Sequence, residues 1–174
     1  FGGTYETQKA YVSSEADKST SFNAGDFSIN GAVIGDSLAA SDTSSSRGNE
    51  LSAISKAAAI NELSDQSGVT AVVNENIVEG VSMAAAVLTG TITINGVNTS
   101  SITTTADAAE SRTLVVDAIN AISGQTGVQA VDTGKEDGGI KLVAEDGRNI
   151  ALTRSTLTSA ATGISTSLLF NLGD

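Results

Sequence analysis

The chain has no cysteine, no proline, no histidine and no tryptophan, and aromatics make up 3% of its 174 residues. Without cysteine there is no disulfide framework and no thiolate chemistry. Without histidine there is no imidazole for general-base work or zinc ligation. With no proline, turns are left to Gly, Asn and Asp. Basic residues are few: 9 Lys and Arg against 20 Asp and Glu give a net charge of −11 and a pI near 4.2. That balance argues against nucleic-acid or anionic-membrane binding, both of which need a basic patch. Runs of 18 apolar residues are also missing, so no segment reads as a membrane span. The start, Phe1-Gly2-Gly3-Thr4-Tyr5, lacks signal-peptide character and reads as that of a processed or excised piece.

What remains is a chain that is 40% hydrophobic, whose core must be assembled from Val, Ile, Leu and Ala. Phe1, Tyr5, Tyr11, Phe22 and Phe27 lie near the start and Phe170 near the end. This suggests that the two chain ends meet in an aromatic cluster. Thr4 to Ser13 reads as a strand, and residues 153–174 as a return strand packing near the N-terminal segment.

Between the ends, period-two alternation marks Phe27 and Ile29 against Ser28 and Asn30 as a half-buried strand, with Asn30-Gly31 as its turn. A Ser-rich loop is expected from Asp36 to Asn49, with Asn49 capping a helix over Glu50 to Leu63. That helix would bury Ala53, Ala59, Ile60 and Leu63, with Lys56 snorkelling from the edge of the apolar face. A strand then follows Gly68, over Val69 to Val73, and a further strand is expected from Val78 to Leu88.

From Thr91 the same order recurs more cleanly. Ile92 and Ile94 point inward and Thr91 and Thr93 outward, and Asn95-Gly96 turns the chain. A Ser/Thr-rich loop runs from Asn98 to Thr105, where Thr104 or Thr105 is expected to cap a helix with Asp107 and Glu110 in its first turns. Val115, Ala118, Ile119 and Ile122 make an i, i+3, i+4, i+7 stripe, and Gly124 is the expected terminator. A strand over Gly127 to Val131 and a polar loop to Gly139 follow. Asp146-Gly147 is then read as the hairpin turn joining Ile140–Ala144 to Asn149–Leu152.

The two copies align in two blocks. The Asn-Gly turns sit 65 residues apart, while Ile60-Asn61 and Ile119-Asn120 sit 59 apart, as do Gly68-Val69 and Gly127-Val128. The six-residue difference falls in the loop between strand and helix, where length changes cost little. The chain therefore contains an internal repeat.

The order Ile-Thr-Ile-Asn-Gly-Val, Val-Val-Asp-Ala-Ile-Asn-Ala-Ile, Thr-Gly-Val-Gln-Ala and Leu-Val-Ala-Glu-Asp-Gly-Arg-Asn-Ile resembles the "IN" repeat of bacterial flagellins, found also in flagellar filament cap proteins. The resemblance covers Thr91 to Leu152 well and Asp26 to Val73 more loosely. The long heptad-bearing terminal helices of flagellin are missing from the sequence. The resemblance therefore implies the surface-exposed central region of such a subunit: extracellular, on the bacterial flagellum, touching neighbouring copies of itself and open to glycans, host receptors or antibodies. A fragment of a filament cap or hook-associated protein is the alternative in the same class. An adhesive or glycan-binding surface module is the alternative outside it.

The expected fold is α+β: two tandem modules, residues 26–90 and 91–152, each a helix on a mostly antiparallel sheet. The segments 1–25 and 153–174 would add strands. The motif residues are Ile29, Asn30, Gly31, Ile60, Asn61, Gly68, Ile94, Asn95, Gly96, Ile119, Asn120, Gly127, Asp146 and Gly147. The asparagines are read as structural, building turns or bonding nearby backbone, rather than as a binding site. Ser44, Ser45, Ser46, Thr99, Ser100 and Ser101 are candidate O-glycosylation positions, and Asn98-Thr99-Ser100 also fits an N-glycosylation sequon.

Enzyme chemistry is not expected. There is no phosphate-binding G-x-x-x-x-G-K-[ST] loop, and a glycosidase-type carboxylate pair would lack the usual aromatic cleft. Asp132, Glu136, Asp137, Glu145 and Asp146 do not follow a calcium-loop spacing. No cofactor is expected either.

Overall fold

The computed structural model describes residues 20–165. The aromatic positions Phe1, Tyr5, Tyr11 and Phe170, and the strand expected over Thr4 to Ser13, lie outside them. The chain is α+β, as expected. In chain order it forms strands β1 (Ser28–Ile29) and β2 (Ala32–Val33), helices α1 (Ala53–Asn61) and α2 (Ser64–Ser67), and strand β3 (Asn76–Val78). Strands β4 (Thr89–Gly90), β5 (Ile92–Ile94), β6 (Val97–Asn98) and β7 (Ile102–Thr103) follow, then helices α3 (Ala108–Asn120) and α4 (Ser123–Thr126). Strands β8 (Gln129–Asp132), β9 (Ile140–Ala144) and β10 (Leu152–Arg154) and helix α5 (Ser159–Thr162) complete it.

Among the described residues all strand pairs are antiparallel, in four small sheets: β1-β2, β10-β5-β6, β3-β9-β8 and β4-β7. Both Asn-Gly turns are two-residue hairpin loops with positive φ at both positions: 50° and 87° at Asn30-Gly31, 50° and 86° at Asn95-Gly96. This is the type I′ geometry whose twist matches that of the flanking strands.

One apolar cluster forms the core. It joins Ile92 and Ile94 of β5, Val115 and Ile119 of α3, Val128, Ala130 of β8, and Ile140, Leu142 and Ala144 of β9. The expected α3 stripe is in place: Val115 and Ile119 are fully buried, Ile122 is buried, and Ala118 packs against the cluster. Strand alternation holds as well, since Ile140, Leu142 and Ala144 are buried while Lys141 and Val143 are half-buried. Within residues 20–75 the buried apolar side chains are smaller and fewer, namely Ala32, Ile34, Ala57 and Ala59.

Several local expectations are corrected. The strand expected over Asn149–Leu152 does not form a hairpin with Ile140–Ala144. Instead β10 begins at Leu152 and pairs with β5, Leu152 opposite Ile94 and Arg154 opposite Ile92. The edge of β9 left open is taken by β3, with Asn76 opposite Ala144 and Val78 opposite Leu142. Residues 76–90 therefore lie on the sheets of the second copy. Only Val78 of the strand expected over Val78 to Leu88 belongs to a regular strand. Beyond it, scattered backbone bonds hold the segment: Val81 N–H to the Gly163 carbonyl at 3.0 Å, Met83 to Glu136 at 2.9 Å and Ala84 to Ala160 at 3.0 Å. Val69 to Val73 is not a strand, because no strand among the described residues pairs with it.

The helix caps also differ. Asn49 starts a short 3-10 turn, and Ser52 caps α1 by accepting from the Ser55 N–H at 3.1 Å. Asp107, not Thr104 or Thr105, caps α3, accepting from Ala109 N–H at 2.8 Å and Glu110 N–H at 2.9 Å. A carboxylate there meets two free N–H groups and the positive end of the helix dipole, which a lone hydroxyl matches less well. Gly124 lies inside α4. The left-handed terminators are Gly127, and its repeat equivalent Gly68 after α2, both at φ 69°. Lys56 is buried rather than at the edge, its ammonium 5.5 Å from the Phe22 ring centroid in cation–π geometry. Phe22 in turn meets Phe27 edge to face at 4.9 Å. Of the segments expected to add strands, residues 20–25 form none, while β10 does so on the second copy.

Candidate functional site

The motif residues converge on two equivalent polar clasps. In the second copy the Asn120 side chain reaches from the end of α3 to both backbone groups of Ala130, donating to its carbonyl at 3.0 Å and accepting from its N–H at 2.8 Å. In the first copy Asn61 does the same to Ala71, at 3.0 and 2.7 Å. Each asparagine amide thus serves as a one-residue strand on the outer edge of the segment that follows it. The reading of these asparagines as backbone-bonding residues holds.

The turn asparagines complete the clasps. Asn30 Nδ2 donates to the Ser67 carbonyl at 2.8 Å, and Asn95 Nδ2 to the Thr126 carbonyl at 2.9 Å. Ser67 and Thr126 occupy the same repeat position, immediately before the left-handed glycine. Their hydroxyls accept from the N–H two residues on, Val69 and Val128, each at 3.2 Å. The hairpin turn is therefore tied to the helix end in both copies by the same atoms.

The copies diverge around this shared pattern. Asn95 Oδ1 also accepts from Ala151 N–H at 2.9 Å, and its own N–H donates to the Ala151 carbonyl at 2.9 Å, which leads the chain into β10. Among the described residues nothing equivalent docks on Asn30, and β1 pairs only with β2. The second clasp carries an arginine as well. Arg148 donates to the Thr126 carbonyl at 3.2 Å and pairs with Asp146 at 2.6 Å. The Arg148 hydrogen bond holds the Asp146 carboxyl below its ordinary value against the opposing effect of burial. Asp146-Gly147 remains a turn, since Gly147 donates to the Ala144 carbonyl at 3.1 Å, but it aims Arg148 at the clasp rather than closing a hairpin.

The loop surface is less open than its composition suggests. Ser37, Asp42 and Ser45 are buried within the stretch read as an exposed loop. Asp42 Oδ1 accepts from the N–H groups of Ser44 at 2.8 Å and Ser45 at 2.9 Å. Burial raises the Asp42 carboxyl, yet bonds from Ser45, Ser52 and Ser44 together hold it below its usual value. The Ser45 hydroxyl accepts from Asn149 N–H at 2.8 Å, while Asn149 Nδ2 donates to the carbonyls of Arg47 and Gly48 at 3.1 and 3.0 Å. This loop thereby ties the first copy to the second. Thr99 is likewise buried, its hydroxyl accepting from Ile92 N–H at 3.1 Å. As candidate modification positions Ser45 and Thr99 are therefore sequestered, Ser44 is half-buried, and Ser46, Ser100 and Ser101 are exposed. The stretch read as a loop from Asn98 to Thr105 also contains β7, paired to β4.

Beyond the clasps, Ser100, Ser101, Leu114 and Asp117 line part of a shallow groove of about 310 Å³ that contains no aromatic residue. Arg112, buried on α3, donates to Asp132 at 2.7 Å and fixes the end of β8 to the helix. No three Asp or Glu side chains gather into metal-binding geometry among the described residues, and no helix there is long and apolar enough to cross a membrane. Comparison of the chain with protein-family models and with curated proteins found no match.

Proposed function

We propose that the chain is a structural surface module, the outer region of a flagellin-type filament subunit, displayed outside the cell among neighbouring copies of itself. One observation carries this reading: the strand–turn–helix unit is duplicated, and both copies are locked by the same asparagine atoms. Such a duplication multiplies a scaffold rather than a reaction centre, because every repeated polar group is spent on backbone. The sequence resemblance to the flagellin repeat names the kind of scaffold. Exposed Ser46, Ser100 and Ser101 are the hydroxyls available for glycans, and the loops around them are the surface open to receptors or antibodies. The groove beside Ser100 and Ser101 lacks the aromatic platform on which sugars stack, which disfavours the glycan-binding alternative.

Immunogold labelling of intact cells with antibodies raised against the 174-residue chain tests this directly. Label along whole filaments is expected. Label confined to filament tips or the hook junction would move the chain to a cap or hook-associated protein. Label spread over the cell body, with bare filaments, would refute the filament role in favour of adhesion.

A further inference from the structure

We infer that Asn30 is a spontaneous deamidation site and that its repeat counterpart Asn95, in the same Asn-Gly turn, is protected from the same chemistry. This inference is independent of the filament reading. Both asparagines precede a glycine, whose backbone nitrogen is the least hindered nucleophile a protein offers to a neighbouring side-chain amide. The Gly31 nitrogen attacks Asn30 Cγ and a new N–C bond forms. The Cγ–Nδ2 bond breaks, and ammonia leaves carrying the former Gly31 amide proton. Water then opens the resulting succinimide at either carbonyl, giving aspartate or isoaspartate.

Ring closure requires the asparagine Cγ to leave its hydrogen bonds and swing onto the following nitrogen. At Asn30 the side chain has one bond to break, from Nδ2 to the Ser67 carbonyl, and no described donor reaches its Oδ1. The residue is exposed, and its β1-β2 ladder of two residue pairs, extended by the Ile34 N–H to the Phe27 carbonyl and the Gly25 N–H to the Ile34 carbonyl, each at 3.1 Å, has nothing described on the other edge of β1. Local opening of a turn on an unflanked edge requires less free energy than opening one whose strand is paired on both sides. At Asn95 the Oδ1 is also held by Ala151 N–H, the backbone N–H by the Ala151 carbonyl, and β5 lies between β10 and β6. The two turns share sequence, φ values and the Nδ2 bond. The docked strand is what separates them.

The product matters because an aspartate at position 30 has no donor for the Ser67 carbonyl. The tie between the first hairpin and its helix end would be lost as the protein ages, and an exposed turn of an already acidic chain would gain a charge.

The test is ageing of the intact 174-residue chain in ¹⁸O-labelled water at mildly alkaline pH, followed by peptide mapping. Asn30 should convert on the order of tenfold faster than Asn95, the difference expected from two additional hydrogen bonds. Asn30→Gln should abolish that product, and Ala151→Pro, which removes the donor to Asn95 Oδ1, should raise conversion at Asn95. Should the Ala151 variant fail to fold, the comparison within the unaltered chain decides alone. Conversion at Asn95 equal to or faster than at Asn30 would overturn the inference, as would conversion at Asn30 no faster than at Asn61 or Asn120.

Discussion

Replacing Asn120 with alanine removes the clasp between α3 and β8 without touching the apolar core. Ala130 is buried, and its N–H and carbonyl face away from β9 toward the Asn120 amide. Each group left without a partner costs about 1–3 kcal/mol if water cannot reach it. Asn120 itself is exposed, however, so water can replace part of what is lost. The low end therefore applies to each bond, and the sum is about 2–3 kcal/mol. For a domain of this size that corresponds to roughly 4–12 °C in Tm. Asn61→Ala is expected to cost about half as much, because Ala71 is half-buried and the segment it anchors belongs to no sheet. Urea unfolding followed by circular dichroism gives both values and tests whether the transition is two-state. If Asn120→Ala were as stable as the parent, or cheaper than Asn61→Ala, the asparagine would not be acting as a surrogate strand.

Two further outcomes follow from the copies' differences. Gly68 and Gly127 have the same left-handed φ, but an added Cβ meets nothing at Gly68 and collides with the Arg148 guanidinium at Gly127. Gly68→Ala should cost about 1–2 kcal/mol from backbone conformation alone, and Gly127→Ala about 1 kcal/mol more as Arg148 gives up its bond to Thr126; equal costs in urea would show that Arg148 holds nothing. Asp42 and Asp146 both have carboxyls held below the ordinary 3.8 in the folded state. Their stabilising contribution is thus complete above that value and lost as the pH falls through the lower folded values. Thermal stability should be level from neutral pH to about 5 and drop below about 4, with a shallower drop in Asp146→Asn; an unchanged acid limb in that variant would refute the assignment.

What could be read from the sequence was whatever short-range chemistry determines. Asn-Gly between alternating residues fixed both hairpins, since few residues other than these tolerate two successive positive φ angles. The stripe on α3 was legible because the helical period alone places Val115 and Ile119 on one face. The expectations that failed were those needing a partner. Asp146-Gly147 looked like a hairpin turn, and only the arrival of β3 from seventy residues upstream shows why β10 goes elsewhere. Ser45 and Thr99 looked like solvated loop hydroxyls because nothing local marks a serine or threonine whose oxygen will accept a buried N–H. The caps were displaced by two or three residues toward the side chain with the better acceptor geometry, a choice that boundary signals rarely resolve.

The same comparison explains why the first copy is the weaker echo. A strand–turn–helix unit needs a sheet beneath its helix, and the second copy supplies one from β8 and β9 with α3 packed above. In the first copy the strand after the clasp segment is β3, which crosses to the edge of β9 instead of remaining beside Ala71. The apolar side chains that its helix buries are Ala57 and Ala59, where α3 buries Val115 and Ile119, and its Lys56 ammonium packs on Phe22, which meets Phe27 edge to face. Of the face expected to be buried there, Ala59 is buried and Ala53, Ile60 and Leu63 are half-buried, while the anchor positions Asn30, Asn61 and Gly68 match the second copy and Ser67 stands where that copy has Thr126. Each polar group that binds backbone has one geometric task and recurs in both copies, whereas the core around it is built differently in each.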